Sequence, residues 1–364
     1  MTDSNYHGDY HGDYGGDYGK LLIVGIRGAT PDDPLLQEDL QACRRAAVGG
    51  VILFDVDAPT LARLPHADPL AAPRNIHSNE QLRELIALIR DQLGPDTWIS
   101  LDQEGGKVAR LCPRRGFDAE PSAVEFAAMA PELRVDTARK QAQQLADLGF
   151  NLNFAPCVDL ALNPDNPIIA ARGRSFSANP EAVIEAARVV LAAHAKAGVA
   201  ACLKHFPGHG SSDADTHLGA VDITNAWQRE QELAPYRELC TGHGVAVMVA
   251  HVIHRELDDE HPASLSPQII DGLLRNELGY NGVVITDSID MRAIADHFTP
   301  GEAAVAAIAA GADLVVDGFN LTEREAHPAQ ELVAALEAAI PESRLQTSLE
   351  RIARLRVRSA APLD

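Results

Sequence analysis

Val199-Ala-Ala-Cys-Leu-Lys-His-Phe-Pro-Gly-His-Gly-Ser-Ser-Asp-Ala-Asp-Thr-His217 divides into two parts of opposite character. The first five residues are apolar. The next fourteen, from Lys204 on, hold one cation, three imidazoles and two carboxylates. An apolar run that breaks into Pro, Gly and titratable groups reads as a buried strand, 199–203, emptying its chemistry into a loop. Seven other runs share that short, apolar, often β-branched character: 21–26, 50–54, 97–101, 151–156, 245–250, 282–286 and 312–316. Strands buried on both faces have this composition. Helical stretches alternate with them at 79–92, 131–148, 180–197, 267–278 and 301–310, several opened by a capping residue such as Ser78, Asn179 or Ser266.

Eight such units in about 340 residues fit an α/β fold, a single (β/α)8 TIM-type barrel. An open doubly wound sheet also alternates β and α. Polar clusters, however, follow at least four different strands, and only a closed ring brings four strand ends to one mouth. Residues 20–364 are therefore expected to form one domain. Residues 1–19, built on the repeat Tyr6-His-Gly-Asp, Tyr10-His-Gly-Asp, Tyr14-Gly-Gly-Asp, are expected to be a disordered tail. Residues 58–77 carry four prolines and read as a long loop after the second strand.

The net charge of −21 over 364 residues argues against nucleic acid as a partner, because phosphate binding needs a basic face. The five cysteines are scattered, odd in number and without a C-x-x-C pair, so they form neither a disulfide framework nor a zinc ribbon. No apolar signal segment and no 18-residue apolar run are seen, which gives no membrane partner and a cytoplasmic expectation.

Three further motifs carry candidate chemistry. Gly282-Val-Val-Ile-Thr-Asp-Ser-Ile-Asp-Met291 is a buried strand ending in Asp287, which reads equally as a glycosidase nucleophile or as a helix N-cap. In Leu101-Asp-Gln-Glu-Gly-Gly-Lys-Val-Ala-Arg110 the two glycines permit a sharp bend. Asp102 and Arg110 can then return to one pocket, either to grip hydroxyls or to form a structural ion pair. Asn163-Pro-Asp-Asn-Pro-Ile-Ile-Ala-Ala-Arg-Gly-Arg-Ser-Phe176 offers Arg172 and Arg174, which also suit a solvated turn. In the opening loop, Asp215 stands two residues before His217. Imidazole can donate a proton and take one back near neutrality, and a carboxylate can orient the ring.

Together these segments resemble glycoside hydrolase family 3, specifically its single-domain β-N-acetylglucosaminidases, over about Leu21 to Asp313. The insertion at 58–77 and the repeat tail lie outside the resemblance. The resemblance implies Asp287 as nucleophile, with His217 and Asp215 as an acid/base dyad. It implies sugar binding by Asp102, Arg110, Arg174, Lys204 and His205, with Arg172 as the competitor for the Arg174 slot, and it requires no cofactor and no metal. It gives Glu104 no catalytic role. One departure is Asp-Thr-His where the family usually has Asp-Ser-His. The implied activity is a retaining exo-β-N-acetylglucosaminidase acting on a small saccharide or muropeptide, in cytoplasmic peptidoglycan recycling. The alternatives are a phosphorylase or β-glucosidase of the same family, or a non-catalytic saccharide-binding protein. The oligomeric state is left open.

Overall fold

The computed structural model describes residues 17–64, 66–240 and 244–359. Eight strands, β1 (Leu22–Gly25), β2 (Gly50–Ile52), β3 (Trp98–Leu101), β4 (Leu152–Asn153), β5 (Ala200–Phe206), β6 (Val245–Val249), β7 (Val284–Ser288) and β8 (Leu314–Asp317), form a closed barrel. Every neighbouring pair is parallel, and β8 closes on β1 with Leu22 opposite Val315. Their side chains are almost all buried, which is why the strands read as continuous apolar runs rather than alternating ones.

The helices outside the ring start and stop where local chemistry directs. Helix Pro180–Ala197 begins with the Asn179 side chain accepting the Ala182 amide at 2.9 Å, and ends at Gly198 in the left-handed region. Helix Asn79–Leu93 is capped by Ser78, and the 267–278 expectation appears as a π-type helix over Gln268–Glu277. Helices Pro34–Arg45, Arg229–Leu239, Ala329–Ala339 and Glu342–Ser359 were not among the expected ones. The last of these sends Arg344 and Arg351 to Asp313 at the foot of β8, where Arg275 also donates at 2.8 Å.

Three expectations change. Strand β5 runs three residues past 203, so Lys204 and His205 lie on the strand itself, and Asp287 lies inside β7. The tail expected over residues 1–19 falls mostly outside the described residues. Its last residues, 17–19, belong to a 3-10 helix, Asp17–Leu21, anchored where the Tyr18 hydroxyl donates to the Ile340 carbonyl at 2.7 Å.

The 58–77 segment is not a plain loop either. It holds a helix, Ala58–Arg63, and a 3-10 turn, Pro69–Ala71. Arg74 donates to the Ile26 and Phe319 carbonyls and pairs with Asp57 at 2.6 Å. Arg115 donates to the carbonyls of Asp55 and Pro69. Asn320 bridges the Val56 carbonyl and the Ala58 amide. The residues that looked like loop-formers are turn and cap residues of a pinned rim.

Candidate active site

The C-terminal ends of the strands open into one cavity of ≈ 530 Å³. Asp102, Arg110, Arg174, Lys204, His205, Asp215, His217 and Asp287 all line it, as does Arg172. The topology therefore gathers residues up to 185 positions apart, from Asp102 to Asp287, around one space.

Asp102 leaves β3 directly. The chain then makes a two-stranded hairpin, Gln103–Gly105 against Val108–Ala109, turning through Gly105 and Gly106, both at positive φ. A Cβ on Gly105 would stand 2.1 Å from the Pro121 carbonyl oxygen, so only glycine fits this bend. The turn returns Arg110, whose Nη2 donates to Asp102 Oδ2 at 3.0 Å. The other oxygen of Asp102 accepts Lys204 Nζ at 2.8 Å.

Glu104 organises the opposite side. Arg174 forks onto its two oxygens at 2.8 and 2.7 Å, and Lys204 Nζ lies 2.7 Å from Oε1. Lys204 is only 2% exposed, so its charge is held between two carboxylates inside the barrel mouth. Burial alone would raise both acids. The Lys204 and Arg110 charges override it at Asp102 and hold that carboxyl far below its usual range. At Glu104, Arg174 and Lys204 bring the value down to about 2. Burial favours the neutral amine of Lys204, but Asp102 and Glu104 push its pKa above the usual lysine value. An acid held this low is already ionised near neutrality and has no proton to give, so Glu104 is an anchor for cations.

His205 is fixed from two sides. Arg174 Nη2 can only donate, so at 3.2 Å it makes His205 Nε2 the acceptor. Its Nδ1 then donates to Asp159 Oδ2 at 2.6 Å. Asp159, fully buried in the segment after β4, also accepts the His205 and His209 amides. Sequence reasoning passed over Asp159 because a buried Asp after an apolar run carries no signal until its partner is placed.

His209 also borders the cavity, almost fully buried. Burial lowers its pKa to about 4, and its ring meets Ser212 Oγ at 2.7 Å and Thr216 Oγ1 at 3.5 Å. Cys157, Asp159 and His205 present ligand atoms all within 4.8 Å, the one such metal-capable group among the described residues. Those atoms already satisfy one another, since the Cys157 thiol donates to Asp159 at 3.4 Å beside the Asp159–His205 bond.

His217 and Asp215 form a second imidazole–carboxylate pair. His217 Nδ1 lies 2.8 Å from Asp215 Oδ1, which also accepts the His217 amide at 2.9 Å. Unlike His205, this ring is open to the cavity, with its side chain 47% exposed. Thr216 between them is buried, so the Asp-Thr-His departure points its methyl-bearing side chain inward toward His209.

Asp287 Oδ1 accepts the Ser288 amide at 2.8 Å, and no cation pairs with it among the described residues. Burial pushes its carboxyl up, but the rings of His251, His205 and His217 and the Ser288 amide bring it below the usual value. His251 does not line the cavity. It is held by Ser264 Oγ at 2.6 Å and the Ser288 carbonyl at 2.9 Å, a structural ring beneath the strand end. Asp290 accepts Ser288 Oγ and the amides of Asn320 and Leu321, bracing the turn after β8.

This constellation, on the C-terminal face of a parallel eight-stranded barrel, is a hydrolase-type mouth with one free carboxylate and one open imidazole–carboxylate pair. Residues 31–355 match the glycosyl hydrolase family 3 N-terminal domain, and the chain belongs to that family. It is 36% identical over 323 residues to a beta-hexosaminidase of Pseudomonas aeruginosa, covering 86% of each chain. It is 34% identical over 339 residues to beta-hexosaminidase A of Pseudoalteromonas piscicida, covering 86% of this chain but only 54% of that one. The structure of a family 3 β-N-acetylglucosaminidase from Paenibacillus superposes with a TM-score of 0.79 at 34% identity, over 94% of this chain and 62% of that one. The chain thus spans about half to two thirds of two of these relatives. No helix among the described residues is long and apolar enough to cross a membrane.

Proposed function

We propose that this protein is a retaining exo-β-N-acetylglucosaminidase. The observation that carries the reading is that Asp287, free of any cation, and the open His217–Asp215 pair line one cavity beside a fully ion-paired grip. The names of its relatives point the same way.

Asp102, Arg110, Arg174, Lys204 and His205 hold the terminal sugar, whose hydroxyls and amide exchange hydrogen bonds with the preassembled charges. Asp287 attacks the anomeric carbon and forms a glycosyl ester, while the departing oxygen takes a proton from His217 Nε2. Asp215 orients the ring through Nδ1 and stabilises the imidazolium that begins the cycle and is restored by the proton taken from water in the second half. In the second half, His217 Nε2 takes a proton from water, the resulting hydroxide bonds the anomeric carbon, and the Asp287 carboxylate leaves. These steps use only side chains and water.

The natural substrate is proposed to be a peptidoglycan fragment, N-acetylglucosamine linked to anhydro-N-acetylmuramic acid. Lys107 and Arg172 line the cavity of a chain whose net charge is −21, a local pair of cations suited to a carboxylate-bearing aglycone. Five free cysteines fit the reducing cytoplasm where such fragments would be recycled. Hydrolysis of a chromogenic β-N-acetylglucosaminide beside the matching β-glucoside, for wild type and Asp287→Asn, tests the reading. Release from the first substrate alone, abolished by the substitution, is expected. Equal release from both, or an Asp287→Asn enzyme as active as wild type, overturns it.

A further inference from the structure

Beneath the loop that carries His217 lies a carboxyl group that the proposed reaction does not use. Glu232, on helix Arg229–Leu239, is 2% exposed. Its Oε1 accepts the Ser211 hydroxyl at 2.7 Å and the Gln228 amide at 3.1 Å. Its Oε2 is buried and has no hydrogen-bond partner. This carboxyl is pressed flat against Gly208, where an added Cβ would stand 2.5 Å from Oε2.

The same end of the helix grips the loop a second time, through Trp227 Nε1 donating to the Pro207 carbonyl at 3.1 Å. From Ser211 the contacts run on through Ser212, whose Oγ donates to the His209 carbonyl and meets the His209 ring. That ring in turn faces Thr216, between Asp215 and His217. The Glu232 carboxyl is thus one end of a chain of contacts whose other end is the dyad.

An ionised carboxylate would leave one bare, charged oxygen in the interior, which is costly. Both donors converge on Oε1, so the neutral acid carries its proton on Oε2. The charged group facing it is Asp159, from the segment after β4; the loop presents Ser211 and Gly208, and its own helix presents Gln228. Burial is the main cause that raises its pKa to about 7, with Asp159 adding to it against the opposing Ser211 and Gln228 bonds.

We propose that Glu232 is a positioning residue for the acid/base loop, supporting the Gly208–Ser212 turn as a neutral acid and loosening it when ionised. The proposal rests on the reading of His217 as acid/base, and it adds a proton-linked control of that group's placement.

E232Q keeps an acceptor oxygen for Ser211 and Gln228 and cannot ionise. With a midpoint of about 7, about a tenth of wild type holds the neutral acid at pH 8. The expected result is kcat for E232Q near wild type at pH 6 and higher by several-fold, up to about tenfold, at pH 8, with KM little changed. E232A, which removes the support at every pH, is expected to lower kcat throughout. Superimposable wild-type and E232Q profiles from pH 6 to 8 overturn the proposal.

A second readout does not depend on turnover. Trp227 is one of two tryptophans and sits against the loop, so its fluorescence should show a transition near pH 7 in wild type that E232Q lacks. That transition is distinct from any response at lower pH to His254, whose ring meets Trp227 edge-on at 4.7 Å and whose pKa burial lowers. Identical titrations in both overturn the proposal even if no β-N-acetylglucosaminide is cleaved, an outcome that would separately defeat the functional reading.

Discussion

Replacing Glu104 by Gln removes the charge shared by Arg174 and Lys204 while keeping the side chain's shape. The folded protein lowers this carboxyl from 4.5 to about 2, which corresponds to about 3 kcal/mol in favour of the ionised form. A depressed acid contributes stability that is fully present above its unfolded value, about 4.5, and is lost as pH falls toward 2. At neutral pH E104Q therefore forfeits about 3 kcal/mol, within the range for breaking a buried pair, and its melting temperature should fall by about 5 °C or more. Arg174, freed from the fork, also loses its hold on His205 and the placement proposed for gripping the sugar, so kcat/KM should fall about a hundredfold.

Glu104 stands directly behind the cavity-lining Arg174 and Lys204, an acid close enough to be mistaken for the proton donor. Two substrates separate the roles: a dinitrophenyl β-N-acetylglucosaminide, whose leaving group needs no proton, and an alkyl one, whose leaving group does. An anchor's loss lowers both by similar factors. If E104Q spares the dinitrophenyl substrate, or leaves kcat/KM and melting temperature unchanged, the assignment of Glu104 as an ionised anchor is wrong.

His217→Ala should give the opposite signature, losing about a hundredfold or more on the alkyl glycoside and much less in the first step on the dinitrophenyl one; equal losses would deny it the acid role. Asp313→Asn leaves Arg275, Arg344 and Arg351 sharing no buried charge at the foot of β8. About 3–5 kcal/mol of destabilisation in a denaturant titration is expected, with kcat/KM of the folded enzyme intact; a change in turnover would show that the two barrel ends are coupled. Leu61, from the pinned rim, lines the cavity. Leu61→Asp should raise KM for a disaccharide while sparing a small aryl glycoside, and unchanged KM for both would remove the rim from substrate choice.

The ring was legible because each strand is buried on both faces, which leaves a run of apolar residues with sharp ends. Strand ends were less legible. Lys204 and His205 read as loop because a cation in a buried strand is normally disfavoured. The structure tolerates it through Asp102 and Glu104, which lie a hundred residues earlier in the chain. The eight candidate site residues do share one cavity, but what fixes them was hidden. Asp159 and Glu104 act through partners brought close only by closure of the barrel, and Glu232 belongs to a helix that the apolar pattern did not reveal. The 58–77 segment misled for another reason: Pro and Asp mark turns and helix starts alike. Asp57 and Asp68 here serve as caps, with side chains accepting the Thr60 and Leu70 amides.

Arg74 and Asn320 do more than pin that segment. Arg74 ties together the tops of β1, β2 and β8 through Ile26, Asp57 and Phe319, and Asn320 stitches the β8 end to Val56 and Ala58. The first and last strands meet along this line, so the doorway of the cavity is also the seam of the barrel. A molecule lodged against Leu61 and Leu321 would therefore brace the clasp that holds the ring shut. Its presence would be felt as resistance of the whole domain to heat, and damage to the doorway would open the ring from its zipper end.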